Sequence, residues 1–363
     1  MASNQQLTPR LNRLEPNIVI DGGMEIWPEG TSRSVASGSD LYGAVLFRNA
    51  NDSSSVTLTN SQQDSIPAGT NVPFSNQVSK TASGTLVPGT RTMLRYFVEG
   101  YDLNKLLNQE FSVIFWVKST VAANRSLVLT NGTATHSFVQ QYNIASANTW
   151  QLQVLKFSAL SSCPGTLDRV SGSGLQVRFG IVSGSTFQTS TLNSWVAGNF
   201  SSGTGEDTTW LTGTTHDFSI AGVMILPGDW TSLTSNVSSY NFLRAGRNFQ
   251  DEQSMTQRYY EKSYDSNLSP GAIAGGGSTY ILIAQQETAN EYRISTRFSV
   301  RKRADPVVVT YAPSSATANR VEGAVVEVSI VQSKGETGFT AGKGPGTTLG
   351  NQINYQWTAD ARF

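Results

Sequence analysis

Residues Gly174–Val182 read GLQVRFGIV. Leu175, Val177, Phe179 and Ile181 fall on one side of an extended chain, and Gln176 and Arg178 fall on the other. That is the two-residue period of a strand with one buried face. The pattern continues outward in both directions. Arg91–Gly100, RTMLRYFVEG, sets Leu94, Tyr96 and Val98 opposite Arg95 and Glu99. Phe111–Ser119, FSVIFWVKS, is apolar on both faces, as a central strand covered on both sides is. His216–Asp229, HDFSIAGVMILPGD, is another long buried strand and ends at Pro227. Clusters of Gly, Asn and Ser separate these runs. Many strands, frequent turn signals and scarcely any helix predict an antiparallel β-sandwich over residues 17–229, with a helical turn at YDLNKLLNQ, Tyr101–Gln109.

The chain has 363 residues, room for two domains or more. Its charges balance, 26 Lys and Arg against 26 Asp and Glu. Balance removes the general attraction to nucleic acid or to an anionic membrane, so neither is expected as a partner. Charged residues make up 14% of the chain, against about 25% in typical soluble domains. Ser, Thr, Asn and Gln must supply the polar surface. Extracellular β-proteins, fibres and adhesins have this character, since they meet variable salt and gain little from screened charges. The single cysteine, Cys163 in SSCPG, permits no intrachain disulfide and no Cys-based metal site. The opening MASNQQLTPRLNRLEPN lacks the apolar core of a signal peptide, and no run approaches the roughly 18 apolar residues of a membrane span. Synthesis in a cytoplasm, without membrane insertion, is expected.

Residues 1–16 are polar and interrupted by Pro9 and Pro16, and read as an extended arm. Residues 230–278 read as a linker that contains one helix near 249–263. Asn248 is its expected N-cap, Asp251 and Glu252 lie in the first turn, and Lys262 lies near the end. Met255 and Tyr259 share a face at i, i+4. The segment QRYYEKSYD, Gln257–Asp265, adds Tyr260 and Tyr264. A helix this short and rich in tyrosine packs either on its own chain or against other copies. Residues 279–363 resume the strand pattern. EYRISTRFSVRKRADP sets Tyr292, Ile294, Phe298 and Val300 against Arg293, Arg297 and Arg301; PVVVTYAP, GAVVEVSIV and INYQWTADARF add further strands. A second, smaller β-sandwich is predicted there.

Catalysis finds little support in the sequence. His136 and His216 sit in strand-like settings, no G-x-S-x-G elbow surrounds a serine, and no H-E-x-x-H motif is present. GKGPGTT, Gly342–Thr348, lacks the order of a phosphate-binding loop. No catalytic residue, metal or cofactor is expected. Among seven tryptophans, Trp27, Trp116, Trp150 and Trp357 begin or occupy strands and read as core. Trp195 and Trp210 lie in the polar stretch NSWVAGNFSSGTGEDTTWLTG. They are the candidates for an exposed carbohydrate-binding platform, since sugars stack their C–H faces on aromatic rings.

Several segments, taken in order, resemble the carbohydrate-binding-module-like domain common in virion proteins of tailed bacteriophages. They are NIVIDGGMEIWPEGTS (Asn17–Ser32), YFVEGYDLNKLLNQEFSVIFWVKST (Tyr96–Thr120), ANTWQLQVLKFSA (Ala147–Ala159), NSWVAGNFSS (Asn193–Ser202) and FSIAGVMILPGD (Phe218–Asp229). QRYYEKSYD resembles the short helix that follows this domain in tail-fibre and receptor-binding proteins, and FSVRKRADPVVVTYAP (Phe298–Pro313) is similar to a strand pair of their C-terminal domain. The resemblance implies an all-β protein of two jelly-roll-like β-sandwich domains joined by one short helix. It implies a tail fibre, collar or tail component of the virion that takes part in host-surface recognition, with a bacterial surface glycan as ligand. The alternative is a glycan-degrading tail enzyme. It further implies a homotrimer, with Met255, Tyr259 and Tyr260 at the trimer contact, and attachment to other virion proteins through the arm of residues 1–16. Sugar-binding modules of this shape often hold calcium between an opening acid, Glu25 here, and a partner acid in the last strand. Ala221 and Gly222 stand in the partner's place, so calcium is not expected.

Overall fold

The computed structural model describes residues 17–233, 246–266, 268–273, 282–288, 291–343 and 352–363. The expected arm of residues 1–16 lies outside them. The chain divides into two compact units. The first holds residues up to Glu25, Thr31–Glu252 and Phe363; the second holds Ile26–Gly30 and Gln253–Arg362.

Strands in the first unit run β1 Ser32–Val35, β2 Ser39–Tyr42, β3 Phe47–Asp52, β4 Leu58–Gln63, β5 Ser75–Lys80, β6 Arg91–Glu99, β7 Phe111–Ser119 and β8 Asn124–Asn131. They continue with β9 His136–Asn143, β10 Gln151–Phe157, β11 Ser173–Ser183, β12 Gln188–Thr189, β13 Trp195–Ala197, β14 Ser202–Gly203 and β15 His216–Pro227. Six form one sheet in the order β1-β4-β5-β15-β7-β10, and seven form another in the order β13-β9-β8-β11-β6-β3-β2. All pairings within both sheets are antiparallel. Aromatic rings bridge the sheets. Phe115 of β7 lies 5.0 Å from Phe179 of β11 and 5.3 Å from Tyr142 of β9, both edge-on. Phe138 of β9 meets Phe157 of β10 at 5.3 Å. The unit is the sandwich that the alternation of Leu175, Val177, Phe179 and Ile181 predicts, and all four are buried between the sheets.

The outward residues of the seven-stranded sheet differ from expectation, because they are not left in water. Arg178 is 1% exposed and Arg95 9%. The loop before α1 (Thr209–Thr212) lies on Arg178, and Arg95 pairs with Asp40 of β2. Arg178 Nη1 donates to Asn199 Oδ1 (2.6 Å) and to the Phe200 carbonyl (2.9 Å). Burial pushes the Arg178 pKa down, with Arg91 and Arg95 adding to the shift and Asp52 opposing it. Arg178 Nε and Nη2 donate to Gln176 Oε1 on the same strand, so the one guanidinium pins the loop to the sheet.

The opening segment from Asn17 is a series of turns. It is tied to β15. Asn17 Oδ1 accepts from the Ile225 amide (3.0 Å), and the Val223 amide donates to the Gly22 carbonyl (3.0 Å). These bonds engage a bulge between Ala221 and Met224, where Gly222 takes φ +59°, a conformation that disfavours side chains.

Helix α2 spans Phe249–Gln257. Asn248 Oδ1 accepts from the Asp251 amide (3.0 Å) and Asp251 Oδ2 accepts from the Asn248 amide (2.9 Å), a reciprocal N-terminal cap. Its N-terminal end belongs to the first unit: Arg247 pairs with Glu252 (2.7 Å), and Glu252 accepts from the Asp21 amide (2.8 Å). The division between the units falls inside this helix, after Glu252.

The helix is shorter than expected. It stops at Gln257, and β16 (Tyr260–Lys262) follows. The tyrosines therefore sit in a turn and a strand of the second unit. Tyr259 is 2% exposed and Tyr260 6%, with the Arg362 guanidinium 4.4 Å above the Tyr260 ring. Met255 is half-buried on the helix. The expected trimer contact of Met255, Tyr259 and Tyr260 thus loses its two aromatic members to intrachain packing. The physical reason is ladder formation: β16 pairs with a distant strand, and tyrosine suits a half-buried pleat.

The second unit continues with β17 Leu282–Thr288, β18 Glu291–Arg297, β19 Val307–Tyr311, β20 Arg320–Glu322, β21 Val326–Val328, β22 Ile330–Gly335, β23 Gly338–Lys343 and β24 Gln352–Asp360. The sheet runs β21-β20-β24-β17-β18-β23-β22. β24 pairs with β17 and β20 through its first half and with β16 and β19 through its second. The two ends of the path, β21 and β22, are separated in sequence by Ser329 alone, so the sheet curls until its ends share one run of chain. Phe298, Phe339 and Trp357 pack in a triangle with ring centres 5.4–5.7 Å apart, inside a core that includes Tyr292, Val321 and Tyr355.

Candidate functional site

β7 decides where the aromatic surface lies. Phe115 points into the sandwich, so strand alternation sends Ile114, Trp116 and Lys118 to the other side of the six-stranded sheet. Trp116 stands in register with Leu152 of β10 and Ala221 of β15; Ile114 stands beside Val154 and Met224. These residues join Val72, Leu226 and Trp230 in an apolar layer, with Trp150, Leu152, Val154 and Leu233 packed against it. Trp116 and Trp230 are 7% and 9% exposed. The Trp230 indole N–H donates to the Pro227 carbonyl at 2.9 Å, which fixes the ring.

Trp150 is the open member of this layer. It is half-buried and leads into β10, the edge strand of its sheet. Leu152 and Val154 are also partly open, so a strip of one indole and two aliphatic side chains runs along the edge. The Lys118 ammonium lies 5.1 Å from the Trp150 ring centre and 2.6 Å from Ser65 Oγ. At the far end Lys156 pairs with Asp229 (3.0 Å) and Glu110 (3.6 Å). The Asp229 carboxyl is held down at about 2, first by the Thr231 hydroxyl and amide and then by Lys156. An aromatic ring beside aliphatic groups, with hydrogen-bonding groups at its margins, suits the face of a sugar.

The two tryptophans singled out in the sequence occupy different environments. Trp195 lies on β13, half-buried, with its ring edge-on to Phe138 at 5.8 Å. It keeps an open side. Trp210 is 0% exposed and cannot serve as a platform. The short helix α1 turns Trp210 and Leu211 inward together. The Lys80 ammonium lies 5.7 Å from the Trp210 ring centre and donates to the carbonyls of Ala82, Gly213 and Thr214. The polar residues around Trp210 in the sequence are its lid. Trp150, which reads as core in the sequence, is half-buried here, and the signal that points to its outer layer is the two-sided apolarity of FSVIFWVKS. A strand buried on both faces needs a second cover, and here tryptophans and loops supply it.

Glu206, in the same loop, is a buried acid. Its Oε1 accepts from the Ser126 hydroxyl, the Gly203 amide (3.2 Å) and Gln141 Nε2 (3.3 Å). Its Oε2 is buried with no hydrogen-bond partner among the described residues. Burial pushes the carboxyl pKa up from 4.5, against the lowering effect of its hydrogen bonds and of nearby Arg125. A raised folded value means that the folded chain holds the proton more tightly than the unfolded chain. The stabilisation is therefore full below about pH 4.5 and is lost as pH rises through the folded value. Glu206→Gln is expected to remove this loss. Melting curves of the variant should fall less steeply between mildly acidic and neutral pH than those of the parent; parallel curves would contradict the assignment.

No protein-family model and no curated protein matches the chain. Solved structures do. The enzymatically active domain of tailspike protein 4 of bacteriophage CBA120 is 14% identical, with 58% of this chain and 21% of that chain covered and a TM-score of 0.32. The family 11 carbohydrate-binding module of Clostridium thermocellum, in complex with a β-1,3-1,4-mixed-linked tetrasaccharide, is 11% identical, with 55% and 96% covered and a TM-score of 0.27. The N-terminal cellulose-binding domain of Cellulomonas fimi β-1,4-glucanase C is 10% identical, with 57% and 93% covered and a TM-score of 0.22. Scores this low leave the fold resting on the strand pairings of this chain.

Proposed function

We propose that this chain is a structural virion protein of a tailed bacteriophage, a fibre, collar or tail component, whose first unit binds a glycan of the host surface without cleaving it. The observation that carries the glycan reading is the half-open Trp150 at the head of the Leu152–Val154 strip. The virion reading is supported by the ordered sequence segments that resemble phage virion proteins. Trp195, the other half-open tryptophan considered as a platform, is the second stacking candidate.

A glycan array probed with the full chain tests the binding. Stacking of one sugar on one aromatic ring contributes about 1–3 kcal/mol by analogy with aromatic stacking generally. Trp150→Ala is expected to weaken binding roughly tenfold or more with little change in melting temperature, because the ring is partly open already. Trp195→Ala tests the second position in the same way. Absence of glycan binding by the parent protein would remove the reading. Release of reducing ends from host polysaccharide would replace binding by hydrolysis.

A further inference from the structure

The second unit carries an apolar strip that nothing among the described residues covers. Val325, Val326, Val328 and Ile330 are 48%, 39%, 56% and 39% exposed. Val326 and Val328 lie on one face of β21, and their cross-strand partners on β20 are Glu322 and Arg320. Partners directly opposite in a ladder share a face. On the other face of the same pair Val321 is fully buried in the core. The outward face of β20 and β21 is therefore two valines flanked by one cation and one anion, with Ile330 two residues further on. Exposed β-branched side chains on a short terminal strand of a sheet invite association unless something covers them.

We infer that this face is the contact between two copies of the chain, related by a two-fold axis. The charge pattern points to a second copy, because the face is its own complement. Consider an axis in the plane of contact, running across the strands over the Val321–Glu327 pair. It reverses the strand direction, so Arg320 of one copy faces Glu322 of the other, and Val328 faces Val326. Both ion pairs form at once over β20, and the valines meet beside them over β21. The register follows from spacing: Arg320 and Glu322 lie one residue to either side of Val321, as Val328 and Val326 do of Glu327. A partner of single sign would leave one of the two charges opposed. The zero net charge of the chain adds no long-range repulsion between copies. Contacts of this kind are isologous and close with two subunits.

Sedimentation of the full chain over a range of concentrations tests the contact. The parent is expected to show a reversible monomer–dimer equilibrium. Arg320→Glu alone sets two acids against each other on each side and is expected to raise the dissociation constant roughly tenfold or more; Glu322→Arg alone does the same with two cations. The double variant Arg320→Glu with Glu322→Arg restores opposite charges across the axis and is expected to recover dimerisation. All these positions are partly or fully exposed, and circular dichroism confirms that each variant is folded. Val328→Thr, which keeps the shape of the strand, is expected to weaken the dimer without altering the charges. A parent protein that stays monomeric overturns the inference, as does a trimer as the smallest associated species. A dimer indifferent to Arg320→Glu, or a double variant as weak as the single ones, overturns it too.

Discussion

Trp210→Ala destabilises the first unit by about 3–5 kcal/mol, the usual cost of emptying a large buried aromatic site. The ring is fully buried, and its removal leaves the Lys80 ammonium without the ring it lies over. Lys80 is 2% exposed, and burial already pushes its pKa down. A cavity beside a desolvated cation is a poor place for the chain to relax. Chemical denaturation measures the loss. Glycan binding per folded molecule should be unchanged, which separates Trp210 from Trp150. A variant as stable as the parent would mean that α1 is a dispensable lid.

The second large effect lies in the second unit. Lys302 is 0% exposed, and its ammonium donates to Glu261 Oε2 (2.5 Å), the Gln257 carbonyl (2.5 Å) and the Val300 carbonyl (3.1 Å). Its three N–H groups have three acceptors. Glu261, 6% exposed, also accepts from the Ser299 amide at 3.0 Å. Burial pushes the Lys302 pKa down, and Glu261 opposes that shift. Lys302→Met keeps the length of the side chain and strands the carboxylate. Breaking a buried pair in this way costs about 3–5 kcal/mol. Adding Glu261→Leu should recover much of the loss, because a well-packed apolar pair replaces a buried ion pair at little cost. Denaturation of the two single variants and the double variant measures the coupling. Additive losses would show that the two side chains act independently.

These two sites differ in how far sequence could reveal them. The strands that form the sandwich were legible because burial on one face repeats every two residues, as in Leu175, Val177, Phe179 and Ile181. The environment of Trp210 was not legible, because its neighbours in sequence are polar and the Lys80 ammonium beside its ring comes from the distant strand β5. Local polarity described the lid and not what lay under it. Trp150 failed in the opposite sense. A tryptophan that begins a strand reads as core from sequence, and the pattern alone does not say which face of the sheet it joins. The outer face of the six-stranded sheet has an apolar layer of its own. The end of α2 was hidden for a third reason. Charges spaced along QRYYEKSYD suit a helix locally, yet Tyr260–Lys262 pairs with Thr358–Asp360 nearly 100 residues away, and such a pairing leaves no mark on the local pattern. Propensity gave way to tertiary context there.

The position of β24 bears on the order in which the chain can fold as it is made. Residues 352–360 are hydrogen-bonded to four other strands, the first of which begins at Tyr260. A ribosome releases those partners before the strand that joins them. While residues 253–351 emerge, β16, β17, β19 and β20 have no common neighbour, and their apolar faces wait. The sheets of the first unit face no such delay: the central strand β15 is complete at Pro227, and they can close while the rest is still being synthesised, leaving only Phe363 to join that unit last. The two units of this protein therefore mature in sequence, the sandwich of the first unit ahead of the second. The second then closes in one late step, set by the arrival of a single strand.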